Sequence, residues 1–230
     1  METSRQNMNS LFASKNPVND SFYITYAFLM TTATITFIEA IRTKDMKIRN
    51  ILNLETCISV VAAFFYSKFV TSIENDEEID YEAINKTRYT DWAITTPIML
   101  LVLVLALLYN NKSGAMSFTS YLKILAMNYG MLGMGYLGEI GILSKVMGNL
   151  IGFGFFAGLY GYIYKTYVQT KYNFDNMILY GAFFILWALY GVTYFFDEKN
   201  KNISYNVLDL LSKCFVGIFF WAYYAKVFKI

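Results

Sequence analysis

Seven apolar stretches of about 20 residues each divide this chain, at 20–41, 51–71, 89–109, 118–138, 146–168, 177–196 and 204–226. Hydrocarbon offers no partner for a backbone N–H or C=O, so a stretch of this kind crosses a bilayer only as a helix or within a closed barrel. Continuous apolar runs of this length, without strict two-residue alternation, select the helix. The expected fold class is an all-α membrane protein, a bundle of seven transmembrane helices. Composition agrees: 56% of residues are hydrophobic, 19% aromatic and only 16% charged, too apolar for an ordinary soluble domain. The fourth and fifth stretches merge through Gly-rich sequence around Gly138 to Gly148.

Short connections place residues 20–228 in one domain, preceded by a polar tail at 1–19. That tail lacks an apolar core, so it does not read as a cleavable signal peptide, and the first apolar span must itself direct insertion. The first loop, Arg42 to Arg49, holds four basic residues and one acidic one. The second, from Glu74 through Asp76, Glu77, Glu78 and Asp80 to Glu82, is strongly acidic. Lys112, Lys165, Lys171, Lys226 and Lys229 fall on the first loop's side, against Lys145, Lys199 and Lys201 opposite. The positive-inside rule then puts the N-terminus and its tail outside and the C-terminus in the cytoplasm, in an integral protein of the cell membrane.

The chain has no His, which removes the commonest metal ligand and general base. Proton chemistry must run on carboxylates, Tyr, Lys, Arg and water. Cys57 and Cys214 both lie in apolar segments and form no CxxC pattern, so neither a disulfide framework nor a metal site is expected. A net charge of +2 does not suggest a nucleic-acid partner. The partners expected are the lipid bilayer and protons, and no enzyme activity is expected.

Lys213 stands in the apolar run Asn206-Val-Leu-Asp-Leu-Leu-Ser-Lys213-Cys-Phe-Val-Gly-Ile-Phe-Phe-Trp221. A charge in such a span costs several kcal/mol, which makes it a functional site by default. A buried lysine shifts its pKa readily, and the neutral amine is the form that condenses with an aldehyde. Asp209, four residues earlier, shares its helix face. A structural ion pair and a snorkelling lysine are the alternative readings, although the ten or so apolar residues that follow work against snorkelling. The third stretch opens Arg88-Tyr-Thr-Asp91-Trp92-Ala-Ile-Thr95-Thr96-Pro97-Ile-Met99. Asp91 and Thr95 share a face, with Arg88 one turn outward, and Pro97 frees a carbonyl where the helix can kink. Asp91 and Arg88 simply pairing near the interface is the plain alternative. Otherwise Lys213, Asp91, Asp209 and Arg88 form a buried charge quadrupole.

These residues resemble the microbial (type 1) rhodopsins, most closely proteorhodopsin-like pumps, over nearly all of residues 20–226. Arg88-Tyr-x-Asp91-Trp92-x-x-Thr95-x-Pro97 is similar to the third-helix motif, and Asp209-x-x-x-Lys213 to the seventh. Gly135-Tyr-Leu-Gly-Glu139-x-Gly141 is similar to a fourth-helix motif, and Trp187-x-x-Tyr190 to the aromatic pair that encloses the chromophore with Trp92. The resemblance implies all-trans retinal bound as a Schiff base on Lys213. It implies Asp91 as counterion and first proton acceptor, Asp209 as second counterion and Arg88 as outward gate. It places Thr95 beside the acceptor, and Trp92, Met99, Trp187, Tyr190 and Tyr194 around the pocket. An apolar Met99 implies green rather than blue absorption. A pentamer or trimer is implied too, and a microbial or viral source fits the abundance of Asn, Lys, Ile and Tyr.

Four positions depart from the family pattern. The inner proton donor falls at Val102, the sixth-helix proline at Gly191, and the histidine partner of the counterion near Tyr66. The paired outer carboxylates have no clear match, because Lys199 and Lys201 fall near those positions and Asp197 and Glu198 read as loop residues. Glu55 is a possible replacement donor, with an interfacial Glu satisfied by Arg49 or water as the alternative. A light-driven outward proton pump is the first reading of function. A light-gated cation channel, with Glu55, Thr56, Ser59, Ser67 and Lys68 as an incomplete polar file, is the second, and a sensory photoreceptor the third.

Overall fold

The computed structural model describes residues 16–75 and 79–227. Within them, seven helices follow one another: α1 (Pro17–Arg42), α2 (Met46–Asn75), α3 (Tyr81–Asn110), α4 (Phe118–Glu139), α5 (Lys145–Val168), α6 (Phe174–Thr193) and α7 (Glu198–Tyr224). The last turns of α5, Tyr164–Val168, and the middle of α7, Leu210–Phe215, are π-helical. All but α4 are both long and apolar enough to cross a membrane. The 22-residue α4 has the length, but Lys123, Asn128 and five glycines and serines dilute its apolar character.

Helix boundaries lie where capping side chains stand rather than where hydropathy fades. Asn16 (followed by Pro17), Asp80, Ser117, Ser144, Asn173 and Asp197 each accept a hydrogen bond from a backbone N–H of the turn they precede. Such caps satisfy donors that have no partner inside the helix. Asp45 serves α2 in the same way, accepting from the N–H groups of Lys47 and Ile48 at 2.8 and 3.3 Å. Polar first turns therefore extend the helices beyond the apolar windows: α3 begins at Tyr81 instead of 89, and α7 at Glu198 instead of 204. Asp197 and Glu198, expected in a loop, are the cap and first residue of α7.

Consecutive helices pack side by side, and α7 closes the ring against α1 and α2. α3 also packs against α6 and α7, which makes it the central helix. Fifteen of its residues are buried, against five of α6. The outward faces are apolar, with Phe28, Ile38, Phe64, Leu150, Ile185 and Phe219 exposed, as expected where the surrounding solvent is lipid. α4 and α5 approach closely where the Gly-rich sequence blurred them. A Cβ on Gly148 would lie 2.7 Å from Met134 O and 3.1 Å from Gly138 Cα, so this crossing needs hydrogen at Gly148, while a Cβ on Gly138 would come within 2.5 Å of the Tyr194 hydroxyl.

Pro97 does not break α3. Its ring removes the donor to the carbonyl of Ala93, and the Tyr129 hydroxyl of α4 donates to that carbonyl instead at 3.1 Å. At Gly191, where a proline was expected, a Cβ would come within 2.4 Å of the Phe153 ring. The Gly191 carbonyl accepts from Asn149 Nδ2 at 2.8 Å. That position serves α5–α6 packing.

Candidate functional site: a buried lysine between two carboxylates

The four charges predicted from spacing meet in the middle of the bundle, all essentially inaccessible. Lys213 Nζ lies 2.7 Å from Asp91 Oδ2 of α3 and 3.4 Å from Asp209 Oδ1 of its own helix. Arg88 does not pair with Asp91, which removes the plain alternative for those two residues. Its Nη1 lies 3.7 Å from Asp209 Oδ2, and its remaining donors go to Asn206 Oδ1, Asn202 Oδ1 at 3.2 Å and Tyr66 Oη at 3.2 Å. The rings of Phe22, Tyr66, Phe69 and Tyr205 surround the guanidinium at 5.1–5.8 Å. A buried cation held by four kinds of partner is fixed in place far better than a surface arginine.

Asp209 is the more heavily bonded carboxylate. It accepts from Tyr66 Oη at 2.9 Å and from Tyr190 Oη at 2.6 Å, and Tyr190 Oη also lies 2.9 Å from Ser212 Oγ. Asp91 accepts only from Lys213, and its Oδ1 has no hydrogen-bond partner among the described residues. Of two carboxylates against one amine, the sparsely bonded one has capacity to take a proton; the other's lone pairs are occupied. Tyr66, which stands where a histidine partner of Asp91 was expected, serves Asp209 instead. Thr95 is buried beside Asp91, but its hydroxyl donates back to the Asp91 carbonyl of its own helix at 2.9 Å rather than to the carboxylate. The expected polar stripe therefore ends at Asp91.

Lys213 falls inside the π-helical segment Leu210–Phe215. Such widened turns cluster at functional positions, and hydrophobic periodicity gave no sign of this one. The asparagines that hold Arg88 were also passed over. Asn202, Asn206, Asp209 and Lys213 recur at helical spacing down one face of α7, a stripe of polar residues that was visible in the sequence.

From Lys213 a cavity extends between α3, α4, α5 and α6. Measured out to where it opens at the bundle surface, it has a volume of about 760 Å³. Trp92, Met99, Trp187, Tyr190 and Tyr194 all line it, as the resemblance implied. Apart from Lys213, Asp209, Ser212, Thr96 and Asn149, its lining is Met, Leu, Phe, Trp, Tyr and Gly. Trp92 and Tyr190 meet edge to face at 5.5 Å.

A family profile described as bacteriorhodopsin-like protein matches residues 17–227. The chain belongs to the bacteriorhodopsin-like family. It is thus a multi-pass integral membrane protein, and membership implies a retinal chromophore. Among solved structures this rhodopsin resembles viral rhodopsin OLPVRII, at 59% identity and a TM-score of 0.87, covering 92% of this chain and 99% of that one. It is 25% identical to the green-light absorbing proteorhodopsin of Gamma-proteobacterium EBAC31A08, over 87% of this chain and 84% of the relative. Halorhodopsin, a light-driven chloride pump, shares the fold at 16% identity and a TM-score of 0.75, covering 93% of this chain and 97% of that one. These relations set the family and the fold, and choose neither an ion nor a direction.

The residues present fit retinal. An amine lines a largely apolar cavity, two carboxylates flank that amine, and aromatic rings line the walls. The buried Asp91 Oδ1 and Trp92 Nε1, without partners among the described residues, are the polar atoms left for the chromophore end and ordered water.

Two further predicted positions, Val102 and Glu55, lie towards the opposite end from Arg88. Val102 is fully buried among apolar side chains. Glu55 is 2% exposed, and Arg49 does not reach it, donating instead to the Thr43 carbonyl at 2.7 Å. A Cβ on Gly217 would lie 3.2 Å from Glu55 Oε2 and 2.8 Å from Thr32 Cγ2. The Glu55 carboxylate therefore sits against α7 one turn beyond Lys213. The polar file on α2 does not continue from there. Ser59 is buried, but Ala62 and Ala63 follow it inward, and Lys68 is exposed with its ammonium 4.5 Å from the Phe64 ring. Of the acidic second loop, Asp76, Glu77 and Glu78 lie outside the described residues.

Proposed function

We propose that this rhodopsin is a light-driven outward proton pump, with Asp91 as counterion and proton acceptor. The observation that carries this reading is the 2.7 Å contact between Lys213 Nζ and Asp91 Oδ2, with Asp91 Oδ1 unpartnered among the described residues. Bound through Lys213, all-trans retinal supplies light absorption and a change of shape that alters the proton affinity and direction of the Nζ–H group. Asp91 then takes the proton. Asp209, held by Tyr66 and Tyr190, stays as the fixed negative charge that balances the site. Arg88, on the other side of Asp209, supplies the positive charge that favours onward movement of the proton away from Asp91. Each proton moved against 100 mV stores about 2.3 kcal/mol.

Orientation belongs to the same proposal: the Arg42–Arg49 end is cytoplasmic, and the end where α1 begins is outside. The burial of Lys201 between carboxylates supports it. That lysine no longer counts as a basic loop residue on the outer side, so the charge bias is stronger than the sequence suggested. A carboxylate at Asp91 supports protons over chloride, which a neutral residue there would suit. In retinal-supplied cells, illumination is expected to acidify the medium, and a protonophore is expected to abolish the change. A signal that the protonophore enhances would mean that another ion carries the charge.

With Val102 unable to donate, Glu55 is the carboxylate placed to refill Lys213 from inside. Glu55→Gln is expected to slow recovery of the dark pigment about 10²-fold or more, the scale of a lost general acid, and low pH should partly restore it. Flash photolysis checks this, and an unchanged recovery would assign refilling to water. For colour, Met99 lines the cavity, and Met99→Gln places an amide dipole along the chromophore. The expected result is a blue shift of the visible band with the pigment yield retained.

A further inference from the structure

At the outer end of the bundle, a second buried charge cluster lies beyond Arg88 and takes no part in the steps above. Lys201 of α7 is completely inaccessible, with Nζ 2.8 Å from Glu139 Oε1 of α4 and 2.9 Å from Glu198 Oε1. Asn85 of α3 donates through the same Nδ2 to Glu139 Oε1 at 2.9 Å and Glu198 Oε2 at 2.7 Å. Two carboxylates are thus drawn together by one ammonium and one amide. Asn202 donates to Asn85 Oδ1 at 3.1 Å, and Arg88 Nε donates to Asn202 Oδ1 at 3.2 Å. An unbroken file of donors runs from the central site to this cluster. Its links are amides, which transmit position and polarity but carry no exchangeable excess proton.

We propose that Lys201 latches the outward end of the proton path, holding Glu139 and Glu198 as a charged pair that stores no proton. The proposal rests on the proton-pump reading for its consequence in the cycle: the proton that appears outside is the one Asp91 gives up, so release is late. Charge counting supports the assignment. Two carboxylates converging on one amide without a cation would not both stay ionised, and one shared proton would relieve the repulsion. Lys201 removes the need for that proton. Lys145 adds a weaker exposed contact to Glu198 at 3.4 Å. The other ionisable groups facing the cluster are Arg88, Tyr81, Tyr89, Tyr194 and Tyr205, none of which supplies a second acid. The pairing also joins α4 to α7 across α3, so a merely structural staple is the alternative that the test must exclude.

The first measurement is the infrared spectrum of the dark pigment in the full chain with retinal, because it reads carboxyl protonation whether or not the protein pumps. Lys201→Met is expected to show a protonated carboxyl C=O band that wild type lacks and that a Lys201→Met/Glu139→Gln double variant loses. A wild-type band that Glu139→Gln removes, or no new band in Lys201→Met, would overturn the latch. The second measurement is the order of proton release and uptake after a flash, followed with a pH-indicator dye. Wild type is expected to release after uptake, and Lys201→Met before it; an unchanged order leaves only the staple. Lys201→Arg and the single variant Glu139→Gln, in which Lys201 keeps Glu198, should both release late. Early release in Glu139→Gln would contradict the proposal even if Lys201→Met forms no pigment. Absence of any net proton movement in wild type, with the infrared result as expected, would reject the pump reading and keep the latch.

Discussion

A Lys213→Ala chain supplied with retinal is expected to form no visible pigment and to show no light response. Lys213 supplies the amine among the residues that line the cavity, and its removal leaves that lining with no amine to condense with an aldehyde. The same change strips Asp91 of its only hydrogen-bond donor among the described residues, and Asp209 of one of its cations. Deleting one partner of a buried ion pair costs about 3–5 kcal/mol, so the variant should also lose thermal stability. Adding Asp91→Asn to Lys213→Ala should recover part of that stability, because it removes the orphaned charge. Visible absorption after retinal addition reads the first effect. Thermal melts of the apoproteins, alongside far-ultraviolet circular dichroism to establish folding, read the second. A pigment in Lys213→Ala would move the attachment site elsewhere. A double variant no more stable than the single one would mean that Asp91 and Lys213 do not pair.

Asp91→Asn is expected to keep a pigment, with a shifted colour, and to lose light-driven proton movement by about 10²-fold or more, the usual scale of a missing proton acceptor. The isosteric amide preserves volume but cannot accept a proton at Oδ2, the atom 2.7 Å from Lys213 Nζ. The site would then hold Lys213 and Arg88 against Asp209 alone. Asp91→Glu should keep some transport. Asp209→Asn should behave differently, since Asp209 is bonded to Tyr66 and Tyr190 and paired with Arg88. Its loss falls more on pigment stability than on transfer. Light-induced pH changes in vesicles, normalised to pigment absorbance, separate the two variants. Equal transport in wild type and Asp91→Asn would remove Asp91 from the acceptor role.

How much of this was legible in the sequence depended on range. That the two charged faces meet rested on the cost of leaving buried charges unpaired, whereas the seven helices and the shared faces of Asp209 with Lys213 and of Arg88 with Asp91 follow from two patterns, an apolar run and a polar stripe one turn apart. Both are local, and both match the structure. Pairings across helices were not legible. Lys201 read as a loop charge because its partner Glu139 lies 62 residues away, and Tyr66 gave no sign that it would serve Asp209 rather than Asp91. The Tyr129 hydroxyl that satisfies the Ala93 carbonyl and the π-helical turn at Lys213 depend on packing that hydropathy does not carry. Thr95 shows the reverse failure: the spacing placed it correctly, but its hydroxyl had a nearer acceptor in its own helix, as threonines in helices commonly do.

Photocurrent under voltage clamp in retinal-supplied cells, across a range of membrane potentials, tests the central claim most directly. An outward current that keeps its sign at every potential, and vanishes in Asp91→Asn, is the predicted result. A current that reverses with the cation gradient would contradict the pump and turn attention to a pore along α2. A pigment that forms but carries no current at any potential would contradict it as well, and would leave a photosensor.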